Sequence, residues 1–318
     1  MQRVTPLDLY RSEDLDGDNT RLVWDSYARH FLLDGDSWLG AAQLPPQLRF
    51  HSRTCGVSVK PGAARLRHLV QINSDPVFRA LVEGPQARPW SAWLMSLGLD
   101  DLLDAVQVPA TGRAAHHPHL RLLRKQEEWG DISLGARRYL SENGWQTFER
   151  YYRANLDALI QLRDQPGSLC RGVPVFLHTY ALPTPRNAAA SAQVGPWFYR
   201  AVKAYAIPIT DWVGVAELLM EQFAQLLMAL GTETGRYPNL HVYDSLRHCS
   251  IERAGLGEKG VSGDWADEMH LTPAGYAKLA SGWVEHIENL MQQAALGAGH
   301  THRTSDLVRP VSRQTLQP

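Results

Sequence analysis

The chain has 318 residues and a formal net charge of −1, with 32 Lys and Arg against 33 Asp and Glu. This balance disfavours nucleic acid or an anionic membrane as a partner, because such partners select basic surfaces. The sequence has no run of about 18 consecutive apolar residues, which a transmembrane segment needs. The N-terminal region also lacks the residue order of a signal peptide. We therefore expect a cytoplasmic globular protein; its oligomeric state is left open.

Apolar runs alternate with helical patterns along most of the chain. The predicted strands are Phe31–Trp38, Leu48–Thr54, Trp90–Ser96, Val173–Tyr180 and Leu240–Asp244. The predicted helices are Ala63–Gln71, Ser141–Asp164, Asp211–Leu230 and Thr272–Leu296, with Asp211 and Thr272 as N-caps. Alternating strands and helices predict a doubly wound, mostly parallel sheet of five strands.

The ends of the chain and two connections depart from this pattern. Residues 1–22 are acidic and irregular and residues 297–318 are polar, so we expect one domain over residues 23–296, with an irregular segment before it and a polar tail after it. Connections 106–140 and 181–210 exceed the roughly 2–6 residues usual in such folds, so both are predicted to form rims or lids.

A Gly-Asp-Ser-Trp sequence, residues 35–38, ends the first predicted strand. Glycine permits a sharp turn, and Ser37 then lies beyond the carboxyl end of the strand, where open α/β sheets place their sites. The tripeptide alone is equally typical of an ordinary turn.

A second motif, Asp267-Glu-Met-His270, precedes the last predicted helix and is followed by Leu-Thr-Pro-Ala-Gly-Tyr. With this spacing Asp267 can hold the tautomer of the imidazole while the other ring nitrogen takes a proton from a serine. In isolation, a surface turn before a helix would explain the motif better.

Together, the early Gly-Asp-Ser and the late Asp-x-x-His-x-x-x-x-Gly-Tyr resemble the SGNH (GDSL) hydrolase family over roughly residues 23–287. The resemblance implies a three-layer α/β/α sandwich and ester hydrolysis. It also implies that Ser37 is the nucleophile, His270 the base and Asp267 the acid that orients it. Asp264, Glu268 and Asp244 are the alternative acids.

The same resemblance implies an oxyanion hole. Its donors are the N–H of Ser37, the N–H of a glycine after the second strand, and an Asn after the third strand. Gly62 fits the glycine best and Gly56 is the alternative. The Asn position holds Asp100, in Ser96-Leu-Gly-Leu-Asp100-Asp101, which is a departure from the pattern.

Asp100 leaves three readings open. An ionised carboxylate has no donor and repels developing negative charge, and losing one oxyanion donor typically costs about 100- to 1000-fold in turnover. Asp100 is a neutral acid that donates, or the enzyme is slowed, or the chain is a catalytically weak binding protein on the same fold. The presence of Ser37, Asp267 and His270 favours the slowed or altered enzyme.

Aromatic side chains supply candidates for an acyl pocket, namely Trp38 beside the nucleophile and Trp197 and Tyr199 in the second long connection, with simple packing as the alternative. The cluster His116-His117-Pro-His119 lies in a polar loop without nearby acids, so we expect no metal there, and no organic cofactor is expected. The sequence thus predicts a serine esterase acting on small or medium acyl esters. Carbohydrate acetylesterase activity is the narrower alternative.

Overall fold

A parallel sheet forms the centre of the molecule. The computed structural model describes residues 4–15, 22–59, 67–84 and 86–305, with side chains described through residue 296. The strands are β1 (Thr5–Pro6), β2 (Asp8–Arg11), β3 (Arg29–Gly35), β4 (Arg49–Phe50), β5 (Thr54–Ser58), β6 (Ala92–Ser96), β7 (Val175–His178) and β8 (Leu240–Tyr243). Six of them form the main sheet in the order β2-β5-β3-β6-β7-β8, with all neighbours parallel. The predicted fold class is confirmed, with one strand more than expected.

Helices connect these strands. They are α1 (Leu69–Ser74), α2 (Pro76–Val82), α3 (Leu99–Gln107), α4 (Gly112–His116), α5 (Glu142–Asp164), α6 (Phe198–Ala204), α7 (Trp212–Thr232), α8 (Ser245–His248) and α9 (Pro273–Ser305). Both long connections carry some of this structure: α4 and three 3-10 segments lie in 106–140, and α6 lies in 181–210.

The extra strand comes from the segment predicted to be irregular. Asp8–Arg11 pairs with β5 at one edge of the sheet, and Thr5–Pro6 pairs with β4 in a separate two-stranded sheet. The second strand was predicted one segment too early, because the alternation over Leu48–Thr54 belongs mostly to β4 and the following bend. The strand that enters the main sheet is Thr54–Ser58, which is buried at every residue and therefore shows no alternation.

The structure confirms two of the four predicted helix starts and corrects the other two. Ser141 caps α5 by accepting the N–H of Gly144 at 3.1 Å, and Thr272 accepts the N–H of Gly275 at 3.1 Å at the start of α9. Asp211 does not cap α7, because its carboxylate accepts the hydroxyl of Tyr139 instead. Helix α1 begins at Leu69, later than predicted.

The last helix is longer than expected. Helix α9 runs to Ser305, so the predicted polar tail begins within a helix, and residues 306–318 lie outside the described residues. Within the described residues, one segment, Ile209–Thr232, is apolar and long enough to cross a membrane by length and composition, and half of its most apolar window is buried inside the protein. Val215, Leu219 and Phe223 on this segment are buried, as in a core helix.

The strand order makes β3 a reversal point of the main sheet. Within this sheet the chain passes from β3 to β5 on one side, and later to β6 on the other side. Connections on opposite sides of one strand create a topological switch point, where the carboxyl ends of the strands diverge and ligands bind. Ser37 follows β3 and Asp100 follows β6 at this point.

Candidate active site

The predicted nucleophile lies in a tight turn after β3. Ser37 opens a 3-10 turn, Ser37–Leu39, and the carboxylate of Asp36 caps that turn by accepting the N–H of Trp38 at 3.1 Å. A Cβ on Gly35 would lie 2.2 Å from the carbonyl oxygen of Ser96, so only glycine allows β3 to end this close to β6. Ser37 remains partly exposed. As the first residue of the turn, it also has an N–H without an acceptor inside the turn.

The predicted base and acid lie just before α9 and meet this turn. The Nε2 atom of His270 is 2.8 Å from the Oγ of Ser37. Its Nδ1 atom is 2.8 Å from the Oδ2 of Asp267. Because a carboxylate only accepts, Nδ1 carries the proton, which leaves Nε2 as an acceptor for the serine hydroxyl. The structure thus brings together the three residues named from the two motifs.

Asp267 is held ionised. Its other oxygen, Oδ1, accepts the backbone N–H groups of Met269 at 2.8 Å and His270 at 2.9 Å. Burial acts to raise the pKa of this carboxyl, but hydrogen bonds from the imidazole and the two N–H groups, with the nearby histidine charge, bring it below the usual value. A charged acceptor of this kind fixes the imidazole and stabilises its protonated form.

The three alternative acids point elsewhere. Asp264 accepts the N–H of Glu252 at 2.6 Å and pairs with Lys278 at 2.5 Å. Asp244 caps the short helix α8. Glu268 faces away from the imidazole toward the second long connection. Asp267 is therefore the acid that contacts His270.

The carboxyl of Asp36, which caps the turn of Ser37, is buried and bonded to two further residues. Asp36 is 3% exposed and accepts the hydroxyls of Ser96 at 2.7 Å and Tyr180 at 2.5 Å. Burial raises the pKa of Asp36 to about 6, although these hydrogen bonds act in the opposite direction. The motif contained this residue, but its partners lie at the end of β6 and just after β7, and no local spacing pointed to Ser96 or Tyr180.

Asp100 occupies the first turn of α3, next to this network. It is 2% exposed, and its Oδ2 atom accepts the backbone N–H of Arg67 at 2.6 Å. Burial, followed by the charge of Asp36 nearby, raises its pKa well above the ordinary value. This environment favours the neutral carboxylic acid, which has an O–H to donate.

The two glycine candidates for the oxyanion hole have different outcomes. Gly62 lies outside the described residues. Gly56 lies within β5 and does not follow it, and a Cβ there would meet the side chains of Leu33 and Leu7 at 2.9 Å. The alternative assignment to Gly56 is therefore wrong, because this glycine serves packing inside the sheet.

The three aromatic candidates for the acyl pocket lie in different environments, and one of them contacts His270. Trp38 is fully buried, with Nε1 donating to the carbonyl of Met269 at 3.0 Å, so its predicted contact with substrate is corrected to a structural role. Trp197 packs edge-on against His270, with ring centroids 5.8 Å apart. Tyr199 turns to Trp212, with centroids 5.5 Å apart. Trp197 is the aromatic candidate in contact with the imidazole.

Two further polar residues are buried beside the acid: Arg186, which was not predicted, and Glu268, which was named only as an alternative acid. Arg186 donates from Nη2 to the carbonyl oxygen of Asp267 at 2.6 Å, and Glu268 is fully buried. Both join the second long connection to the acid–base segment. The histidines of the 116–119 loop are exposed. Among the residues with described structure, no group of three His, Cys, Asp or Glu side chains is arranged to hold a metal ion.

Comparison with solved structures finds similar proteins at low identity. A phospholipase A1 from Streptomyces albidoflavus is 13% identical with a TM-score of 0.41, and the match covers 82% of this chain and 98% of that one. A carbohydrate acetylesterase from Sinorhizobium meliloti is 13% identical with a TM-score of 0.40, covering 82% and 99%. An aryl esterase from M. smegmatis is 14% identical with a TM-score of 0.39, covering 83% and 100%.

No protein-family profile and no curated protein sequence matches this chain. The activities named for these three structures are ester hydrolyses, and another similar structure is a salicylyl-acyltransferase; these activities are properties of those proteins. For this chain, the functional assignment depends on its own side chains.

Proposed function

We propose that this chain is a serine esterase of SGNH type. The observation that carries the proposal is the continuous hydrogen-bonded series Ser37–His270–Asp267, with both contacts at 2.8 Å. Such a series activates a serine hydroxyl, which is otherwise a weak nucleophile at neutral pH. The partly exposed Ser37 lies at the topological switch point of the sheet, where a substrate can reach it.

The chemistry follows from the tautomer of His270. Its Nε2 atom takes the proton of Ser37 as Oγ attacks the ester carbonyl, and Asp267 stabilises the imidazolium that forms. The imidazolium then gives the proton to the leaving alcohol. In the second half of the reaction, His270 takes a proton from water as it attacks the acyl-enzyme. The bond between the acyl carbon and Oγ then breaks, the imidazolium returns the proton to Oγ of Ser37, and the carboxylic acid is released.

The developing oxyanion needs donors, and two described groups are suited to supply them. One is the N–H of Ser37 at the start of its turn. The other is Asp100 in its protonated form. Because Oδ2 of Asp100 accepts from the N–H of Arg67, the acid proton belongs on Oδ1, which then becomes the donor. This favours the neutral-acid reading over a slowed enzyme. A carboxylic acid kept neutral by its site performs the same task in ketosteroid isomerase.

The substrate class that we propose is a small or medium acyl ester, because Trp197 gives an apolar wall beside His270. A series of p-nitrophenyl esters of increasing chain length measures this preference. We expect a maximum of kcat/KM at short or medium chains; a maximum at long chains would contradict the assignment.

A fluorophosphonate probe tests the reaction class directly. We expect covalent labelling of the wild-type protein at one serine, located by mass spectrometry at Ser37, and none in Ser37→Ala. Ser74→Ala is the matched control, since Ser74 is exposed and bonds only to its own helix; its labelling should equal that of wild type. Absence of labelling across pH would favour a binding protein on the same fold.

A further inference from the structure

Glu268 lies inside the acid–base motif, yet its carboxylate serves a different segment. Its Oε1 atom accepts the backbone N–H groups of Tyr199 at 2.7 Å and Arg186 at 3.2 Å, and its Oε2 atom accepts the N–H of Trp197. All three donors belong to the connection 181–210. One buried side chain therefore holds two distant points of that connection and the beginning of α6.

The attachment is reciprocal. The N–H of Glu268 donates to the carbonyl of Ala188 at 2.9 Å, and the guanidinium of Arg186 donates to the carbonyl of Asp267 at 2.6 Å. The connection 181–210 and the segment Asp267–His270 are thus joined by five hydrogen bonds. A loop held this way has little freedom to move independently of the base.

Trp197 is the residue that this attachment places on the base. Its N–H is bonded to Glu268, and its indole packs edge-on against the imidazole of His270 at an interplanar angle of 69°. Trp197 is 5% exposed. Its position limits the directions in which the imidazole of His270 can rotate away from Ser37. The hydrogen bond from the N–H of Trp197 to Glu268 therefore also helps to orient His270.

A carboxylate suits this position better than an amide does. Two oxygens serve three N–H donors, whereas a glutamine has one acceptor oxygen and would turn its NH2 group toward an N–H. Burial raises the pKa of Glu268 to about 7, although the N–H bonds act to lower it. The N–H donors thus offset part of the cost of burying the charged carboxylate.

We propose that Glu268 is a positioning residue that acts through Trp197: it fixes the connection 181–210 over the acid–base segment, so that Trp197 holds His270 in line with Ser37. This inference extends the proposed esterase function and depends on it for the catalytic consequence. The structural effect of Glu268 on His270 through Trp197 does not depend on this activity and can be tested without it.

A double-mutant cycle with Glu268→Gln and Trp197→Phe tests the proposal. The rate constant of fluorophosphonate labelling should fall about tenfold in Glu268→Gln, and the same substitution made in Trp197→Phe should add less than about twofold. Asp264→Asn is the control, an acid of the same loop bonded to Glu252 and Lys278. It should change labelling by less than about twofold and be additive with Trp197→Phe.

A second measurement keeps the two proposals separate. The NMR chemical shifts of the His270 imidazole should change in Glu268→Gln and change much less when Trp197→Phe is already present. If wild type is not labelled at all, the esterase assignment fails and the NMR cycle still decides the positioning role. Equal effects of Glu268→Gln in both backgrounds would overturn that role. Glu268→Asp, whose shorter carboxylate cannot serve all three donors, replaces Glu268→Gln if the latter does not fold.

Discussion

The indole Nε1 of Trp38 donates a hydrogen bond to the carbonyl oxygen of Met269, at 3.0 Å. Trp38 follows the nucleophile in the sequence and Met269 precedes the base, so this single contact joins the two halves of the site. Both residues are buried, where a polar group left without its partner is costly. The distance between Ser37 and His270 thus depends on a bond that involves neither side chain.

Trp38→Phe should therefore impair both folding and catalysis. The substitution keeps an aromatic ring but leaves the Met269 carbonyl unpaired, at a cost of about 1–3 kcal/mol in the free energy of unfolding. We expect kcat for p-nitrophenyl acetate to fall as the turn and the acid–base segment loosen. Trp90→Phe is the matched control, because its Nε1 donates to the carbonyl of Leu81 at 3.0 Å, outside the site. Urea unfolding should show a similar loss for both variants, whereas kcat should fall only for Trp38→Phe.

Asp267→Asn should abolish most of the activity. An amide at this position turns an N–H toward Nδ1 and selects the tautomer with the proton on Nε2, which cannot accept from Ser37. In the Ser-His-Asp template of the chymotrypsin type, this exchange lowers kcat about 10⁴-fold. We expect a loss of similar order in esterase assays. Asp264→Asn should retain nearly full activity, and equal losses in the two variants would contradict the assignment of the acid.

Ionisation of Asp100 should lower the activity as the pH rises. Its pKa is raised by burial and by the charge of Asp36, so the carboxyl is neutral at low pH and loses its proton as pH rises. Ionisation removes an oxyanion donor and adds a repelling charge, so kcat should decline. In Asp100→Asn the amide donates at every pH, and we expect the decline to disappear from a pH–rate profile. An identical alkaline decline in the variant would exclude Asp100 as the donor.

The same raised pKa affects stability. In the unfolded chain an Asp ionises near pH 3.9, so the stability that the protonated Asp100 provides is complete below that pH. It is lost as pH rises through the higher pKa of the folded state. Asp100→Asn should therefore unfold at a higher urea concentration than wild type at neutral pH, with the difference vanishing in acid.

Gly35→Ala should disrupt the nucleophile strand. The added methyl would lie 2.2 Å from the carbonyl oxygen of Ser96, so β3 and β6 must separate. Such overpacking costs about 1–3 kcal/mol or more, and we expect a lower midpoint of thermal unfolding together with loss of labelling. At Gly235 a Cβ meets nothing within 4 Å. Gly235→Ala should leave both measurements unchanged, and tolerance of both substitutions would contradict the close approach.

The site could be predicted from sequence where its chemistry is local. Asp267 and His270 are three residues apart, and Gly35 and Ser37 lie within one turn, so each motif already contains the geometry that its residues need. The start of α5 was predictable for the same reason, because Ser141 caps it within four residues. These features depend on short-range spacing, which a single sequence displays directly.

The remainder depends on contacts between distant segments. Glu268, named from the motif only as an alternative acid, bonds to backbone N–H groups 69 to 82 residues away. Because almost any residue can supply an N–H, the sequence did not indicate these contacts. The burial of Trp38 depends on four aromatic or imidazole rings from three other segments, which adjacency to Ser37 could not reveal. Strand β5 was misplaced because a strand buried on both faces has no polar period.

The wide separation of Ser37 and His270 has a consequence for synthesis. The two residues are 233 positions apart, and the base lies at the entrance of the last helix. A nascent or truncated chain that ends before this point carries the serine without its proton acceptor. Under the proposed function, ester hydrolysis therefore requires that the chain from Ser37 through His270 has been made and folded, and shorter products should show no activity.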